Sequence, residues 1–212
     1  MEEIPDLNIF MMCPSINREA LTDLPEGFHV RNLRKEELDI WMAMPFDDPE
    51  TAKEYKPFME DFFHTTYGGQ DELFFEKTLV VCDKYGEPVA TCLLWKAYGR
   101  FSTIHWFKVL PSYEGKGIGR ALLSIIMKDL KQEDYPVYLH TQPGSYRAIK
   151  LYSDFGFDLL SGDRFGSRKN ELEESLAILE KCMPKQEFYK LKITEAPEDF
   201  KEALESVTTV QF

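Results

Sequence analysis

The pattern of apolar residues predicts an α/β domain: a mixed, mostly antiparallel central sheet flanked by helices, with a C-terminal extension. Three observations carry this reading. Thr78–Asp83, Pro88–Lys96 and Ser102–Val109 are apolar, β-prone runs joined by short turns at Asp83-Lys84-Tyr85-Gly86-Glu87 and Tyr98-Gly99-Arg100, which reads as an antiparallel meander. An amphipathic helix follows directly, from Gly117 to about Lys131, with Ile118, Ala121, Leu122, Ile125 and Ile126 on one face. Then come a short strand at Pro136–His140, a helix at Ser145–Phe155 and a further strand from Phe157 to Leu160, an order that builds a mixed sheet.

The remaining elements follow from the same periodicities. Residues 1–27 carry Pro5, Pro14 and Pro25 and read as an irregular lead-in. Phe28–Leu33 reads as a first strand. Lys35–Met44 reads as a helix that Pro45 stops, and Thr51–His64 as a second helical stretch, interrupted or bent near Pro57. Gly68-Gly69 breaks the chain again. Gly156 stands where a helix commonly ends. Residues 28–160 thus form the main domain, and residues 161–212 an extension packed on it. Within the extension Asp163–Asn170 reads as a loop, Glu171–Lys181 as an amphipathic helix stopped by Pro184, Phe188–Thr194 as a strand and Phe200–Leu204 as helical. About 50 residues bury too little surface to stand alone.

Composition narrows the function classes. A formal net charge of −12 disfavours a broad nucleic-acid surface and suits a soluble protein or a cationic substrate such as an amine. No segment approaches the roughly 20 apolar residues of a membrane helix. The acidic start Met1-Glu2-Glu3-Ile4-Pro5-Asp6 lacks the features of a secretory signal. Cys13, Cys82, Cys92 and Cys182 form no C-x-x-C pair and show no metal spacing, so no metal site and a reducing, cytoplasmic location are expected.

The segment Val109-Leu110-Pro111-Ser112-Tyr113-Glu114-Gly115-Lys116-Gly117-Ile118-Gly119-Arg120 carries the chemistry. A strand ends, glycines occupy alternate positions, and a helix begins. Glycine lets a ligand approach the backbone, and a helix start presents free N–H groups to an anion, so a pyrophosphate suits it. A dinucleotide fold requires a third glycine where Leu122 stands, and the strands before the loop read as antiparallel. A phosphate-binding P-loop lacks both its first glycine and the Ser or Thr after Lys116.

These residues resemble the acetyl-CoA site of the GNAT N-acetyltransferase superfamily. The family signature (Arg or Gln, two residues, Gly, one residue, Gly or Ala) falls on Glu114, Gly117 and Gly119. A second block, Ala148-Ile149-Lys150-Leu151-Tyr152-Ser153-Asp154-Phe155-Gly156-Phe157, matches the family helix with its "LY" pair and closing "GF". Glu114 departs from the usual Arg or Gln, and Ser145 stands where many members have Asn. The resemblance implies a splay between the strand ending at Val109 and the Pro136–His140 strand, with the pantetheine arm of CoA in the wedge. Val109 and Leu110 would meet that arm. The backbone of Gly115, Lys116, Gly117, Ile118, Gly119 and Arg120 would hold the pyrophosphate, aided by the Lys116 and Arg120 charges, with Ser145 nearby. Tyr152 would protonate the departing thiolate. His105, placed by strand alternation on one face with Phe107 and Val109, would deprotonate the amine. His140 is a lesser candidate for the same task. The early helices would wall the acceptor site with some of the aromatic residues between Trp41 and Phe75.

The expected activity is therefore acetyl transfer from acetyl-CoA, as co-substrate, to a primary amine of a small molecule or peptide through a ternary complex. The competing reading is a non-catalytic acyl-CoA-binding sensor or interaction module on the same fold. No nucleic-acid or membrane partner is expected, and the extension is a candidate for holding a homodimer.

Overall fold

The computed structural model describes residues 4–211. Its elements in chain order are β1 (Ile9–Cys13), β2 (His29–Asn32), α1 (Leu38–Ala43), α2 (Pro49–Tyr67), α3 (Asp71–Lys77), β3 (Thr78–Cys82), β4 (Pro88–Ala97) and β5 (Phe101–Val109). There follow α4 (Ile118–Met127), β6 (Val137–Thr141), α5 (Tyr146–Asp154), β7 (Asp158–Ser161), β8 (Arg164–Phe165) and β9 (Arg168–Lys169). The chain closes with α6 (Leu172–Cys182), α7 (Lys185–Phe188), β10 (Ile193–Glu195) and α8 (Glu198–Glu205). One eight-stranded sheet runs β10-β7-β1-β6-β5-β4-β3-β2. Only β5–β6 and β10–β7 are parallel. The sheet is mixed and mostly antiparallel, as the sequence predicts.

Three apolar clusters sandwich this sheet. One face carries α4, α5 and α6 over Ile9, Met11, Val81, Cys92, Ile104 and Leu139. The other face is shared. Over β3 and β4, Trp41, Met59, Phe63, Tyr67 and Phe74 of α1–α3 cover Val80, Leu93 and Trp95. Over β1 and β6, Phe165, Phe200 and Leu204 cover Phe10, Met12, Phe101 and Tyr138. The Phe200 and Tyr138 rings stack at 4.0 Å.

Local chemistry explains the element ends. Asp48 caps α2 by accepting from the Thr51 N–H at 2.8 Å, and Pro49 occupies the first turn, where its missing N–H costs nothing. The helix then runs unbroken through Pro57, so of the expected interruption or bend there the interruption does not occur. Helix α4 ends at Met127, short of Lys131.

Four expectations are corrected. The first 27 residues are not irregular: β1 lies between β6 and β7, and all five of its residues are buried. A strand buried on both faces shows no polar alternation to reveal it. Asp71–Lys77 is a helix (α3) that the sequence reading passed over. Phe188–Thr194 is not one strand, because Lys185–Phe188 is helical behind Pro184 and only Ile193–Glu195 pairs with β7. The Asp163–Asn170 loop contains the β8–β9 hairpin.

Helix α4 packs on β5 through Gly119. A Cβ there would lie 3.1 Å from Phe107 Cζ and 3.3 Å from Val109 Cγ2. Gly119→Val is expected to overpack this contact and to cost about 1–3 kcal/mol, read as a lowered denaturation midpoint. An unchanged midpoint would show that α4 can shift off the strand freely.

Candidate active site

The site is built around an irregularity in β5. Thr91 pairs with Lys108 and Leu93 with His105, so Cys92 faces two residues, Trp106 and Phe107. The extra residue is a β-bulge, and Trp106 takes up the misfit with φ of 50°. That left-handed backbone costs a bulky residue about 1–3 kcal/mol, which its surroundings must repay. The Trp106 ring meets Trp41 at 5.9 Å and Phe62 at 5.1 Å, both edge-on.

The bulge changes which residues share a face. Thr103 and His105 look toward α2, whereas Phe107 and Val109 look toward α4 and approach Gly119. The expected common face for positions 105, 107 and 109 is therefore overturned. An extra residue between 105 and 107 shifts the alternation by one.

His105 is buried, with both ring nitrogens engaged. Nδ1 lies 2.7 Å from the Tyr67 hydroxyl and Nε2 lies 2.8 Å from Thr103 Oγ1. Thr103 Oγ1 donates to the Trp95 carbonyl at 3.1 Å. With that proton committed, the imidazole Nε2–H donates to Thr103, and Nδ1 accepts from Tyr67. Trp106 is a further hydrogen-bond partner of the Tyr67 hydroxyl. The chain Trp106–Tyr67–His105–Thr103 thus braces the bulge from the α2 side. Burial pushes the His105 pKa down to about 3 and the Tyr67 phenol well above its usual value, so both stay neutral at pH 7.

Beside the bulge the sheet opens. Strands β5 and β6 pair only at Ser102↔Val137 and Thr103↔Tyr138, after which the two diverge. The expected wedge is therefore present, between Ile104–Val109 on one side and Leu139–Thr141 on the other. Continued in register, His105 and His140 stand level across the opening on the same face.

The glycine loop lies at the end of β5. Gly115 and Gly117 have φ of 74° and 82°, and Gly117 precedes the first turn of α4 with no side chain capping it. The loop's side chains are committed elsewhere. Glu114 pairs with Arg147 of α5 at 2.6 Å, which turns its charge away from the loop backbone. Arg120 pairs with Asp154, which Lys150 also holds at 2.6 Å. Lys116 Nζ sits 4.6 Å over the Tyr113 ring. Leu110 is tied back to β4 by its N–H to the Val89 carbonyl at 2.9 Å. Ser145 precedes α5 with no side-chain cap bond.

Tyr152 is buried on the α4–α5 face, its ring 5.7 Å from Phe107 and 5.7 Å from Phe157. Burial raises its phenol far above the usual value, which keeps the proton on oxygen. The structure therefore gathers Val109, Gly119 and Tyr152 on one face and puts His105 and His140 on the other. Sequence reading missed Tyr67 as the partner of His105. A pair 38 residues apart leaves no local signal. Among the described residues no group of His, Cys, Asp and Glu is arranged to hold a metal, and no helix is long and apolar enough to cross a membrane.

The chain thus folds as a mixed sheet with one splayed parallel pair and a glycine-lined helix start at the mouth of the opening. The sequence profile of the acetyltransferase (GNAT) family matches residues 35–157, and the chain belongs to that family. Among curated proteins no sequence matches. Solved structures with a similar fold include a Drosophila protein, at 19% identity, TM-score 0.47, covering 74% of this chain and 48% of that one. A GCN5-related N-acetyltransferase from Sphaerobacter thermophilus is 18% identical, with TM-score 0.44 and coverage of 73% and 49%. Diaminobutyrate acetyltransferase EctA from Paenibacillus lautus, solved with L-2,4-diaminobutyric acid and coenzyme A, is 14% identical, with TM-score 0.43 and coverage of 59% and 72%. The chain spans about half the length of the first two.

The neutral histidine gives a pH test. An unfolded imidazole gains its proton near pH 6.5, the folded His105 only near pH 3, so acidification favours the unfolded chain across that window. Urea denaturation is expected to show about 2 kcal/mol less stability at pH 5 than at pH 7 from this group. His105→Gln should flatten the slope by one proton, and an identical slope in the variant would contradict the assignment.

Proposed function

We propose that this protein transfers an acetyl group from acetyl-CoA to a primary amine by direct attack in a ternary complex. The observation that carries the reading is the opening between β5 and β6 with the glycine loop at its mouth. In this reading the pantetheine arm lies along the free edge of β5 at Val109 and Leu110. The backbone of Gly115, Lys116, Gly117, Ile118, Gly119 and Arg120 receives the pyrophosphate at the start of α4, where N–H groups and the helix dipole favour an anion. Arg120 contributes its backbone, since its side chain pairs with Asp154. Lys116 adds charge, and Ser145 lines the α5 side.

The amine nitrogen attacks the thioester carbonyl carbon, the C–S bond breaks, and the amine gives up its proton to water. Tyr152 supplies the proton to the leaving thiolate and regains one from solvent. Burial holds the proton on the phenol, and a thiolate leaving into the same apolar surroundings is a stronger base there than in water, which keeps the two groups matched for the transfer. His105 acts as a positioning residue in this reading. Its Nδ1 lone pair is taken by Tyr67, so it works by holding the bulge that aims Phe107 and Val109 at the loop. Aromatic residues of α2 and its approach form the acceptor wall: Phe46 stacks on Tyr55 at 5.2 Å, and Phe62 reaches Trp106.

Calorimetric titration with acetyl-CoA, with NADH and ATP as controls, is expected to show saturable binding of acetyl-CoA alone. Gly117→Val should abolish that binding, because valine resists the left-handed backbone by about 1–2 kcal/mol and so displaces the loop amides. Normal affinity in the variant would remove the loop from the cofactor site. Tyr152→Phe should lower kcat about 100-fold or more while acetyl-CoA affinity holds. An unchanged kcat would dismiss Tyr152 as the acid. Acetyl-CoA binding without transfer to any amine in a broad panel would favour a sensor.

A further inference from the structure

The lip of the opening opposite His105 carries a second polar chain, and its members come from four separate parts of the fold. Asn8 and Glu171 clasp each other. The Asn8 N–H donates to Glu171 Oε2 at 3.0 Å, the Glu171 N–H donates to the Asn8 carbonyl at 2.8 Å, and Asn8 Nδ2 donates to Glu171 Oε2 at 3.2 Å. This fixes the Asn8 amide with its oxygen toward His140, whose Nε2 lies 2.9 Å away. His140 Nε2–H is then the donor, and its Nδ1 presents a lone pair. Arg168, on the β8–β9 hairpin, brings Nη1 onto the His140 ring and donates there. Burial, and then the Arg168 charge, hold His140 neutral, with a pKa of about 3.

Arg168 is thus anchored by a neutral partner. It is half-buried, and among the described residues no carboxylate forms an ion pair with it. Exposed Asp6 acts on it only through space. A guanidinium carries five N–H donors in a planar fork that matches a carboxylate, and the His140 contact uses one arm of it. Arg168 also lines a cavity of about 40 Å3, closed by Phe10, Tyr98, Phe165 and the C-terminal segment 207–210, which holds a carboxylate-sized group or about three waters. Desolvating a cation without a counter-charge is costly, so such an arginine is poised to gain from an incoming anion. The sheet sets His140 level with His105 on the acceptor face, so Arg168 stands beside the groove the amine must occupy.

We propose that Arg168, positioned by His140 and Asn8, receives a carboxylate of the acceptor, so that the substrate class is an amine that also carries a carboxylate: a free amino acid. This rests on the amine-acetylation reading and deepens it. The charges fit a zwitterion: a chain of net charge −12 draws in the ammonium end, and the Arg168 guanidinium orients the carboxylate end.

The test pairs each of the free L-amino acids with its C-terminal amide, which keeps the amine and removes the anion. In wild-type protein saturated with CoA, calorimetry is expected to show the best acid binding roughly 10- to 100-fold more tightly than its amide. With acetyl-CoA the same ratio should appear in KM rather than kcat. In Arg168→Gln the ratio should collapse to near one. Arg168→Lys should keep part of it, since the charge remains without the fork. Asn8→Ala, which frees His140 to turn, should reduce the ratio less than Arg168→Gln does. Retained acetyl-CoA affinity in each variant shows that it has folded. A wild-type protein with no preference for acids overturns the proposal, as does a preference that survives in Arg168→Gln. If acids bind through Arg168 but no amine is acetylated, the carboxylate site stands and the transferase reading falls. If only amines lacking a carboxylate are acetylated, the reverse holds.

Discussion

The left-handed backbone at Trp106 is the constraint on which the site depends. Without the extra residue opposite Cys92, β5 would keep its alternation, and Phe107 would share the α2 face with Thr103 and His105. With it, His105 and Trp106 turn together into the α2 side while Phe107 and Val109 turn onto α4. A bulge of this kind is costly for tryptophan, and the compensation is visible on both sides. Edge-on rings hold the indole, and the Tyr67–His105–Thr103 chain ends on the Trp95 carbonyl in the neighbouring strand. A neutral histidine suits this work better than a charged one. It offers one donor and one acceptor in line and carries no charge that burial would penalise.

In the loop before α4 the charged side chains are drawn away from the backbone, which leaves its amides free for the anion that the proposed function places there. The Glu114 charge is matched by Arg147, and Arg120 is spent on Asp154. These are partly exposed pairs worth little in stability, on the order of 0–1 kcal/mol each. Their weight lies in geometry. They join α5 to both ends of the loop, and Gly119 lets α4 press on β5 from below. The amides at the helix start are thereby fixed before any ligand arrives, and preorganised donors cost no reordering on binding.

What the sequence discloses follows the range of the signal. The β3–β5 meander, α4 and α5 were legible because periods of 2 and 3.6 and the turn residues between them are local. The two motif blocks were legible for the same reason. Strand β1 was hidden because Ile9-Phe10-Met11-Met12-Cys13 is buried on both faces and sits among prolines. The phase shift at Trp106 was hidden because nothing in Ile104-His105-Trp106-Phe107 marks a bulge, and so the face assigned to His105 came out reversed relative to Val109. The pairing of Tyr67 with His105, and the approach of Arg168 to His140, left no trace in the sequence because the partners lie 38 and 28 residues apart. Their meaning exists only once the sheet has folded.

The two lips of the opening are built alike and differ in one respect. Each presents a histidine that burial keeps neutral, and each histidine is oriented by a hydrogen-bonded neighbour, Tyr67 on one side and Asn8 on the other. On the β5 side the chain closes on itself: every proton in it has an acceptor, and it ends on a backbone carbonyl. On the β6 side the chain stops at a guanidinium whose charge is not cancelled by any carboxylate pair among the described residues. A groove with one closed wall and one open cation distinguishes the two ends of a molecule placed in it. In the proposed reaction the closed wall would hold the strand edge and thioester still, while the open cation would set how far the acceptor enters. Orientation of this kind raises the effective concentration of an amine at the carbonyl carbon without any group touching the amine itself.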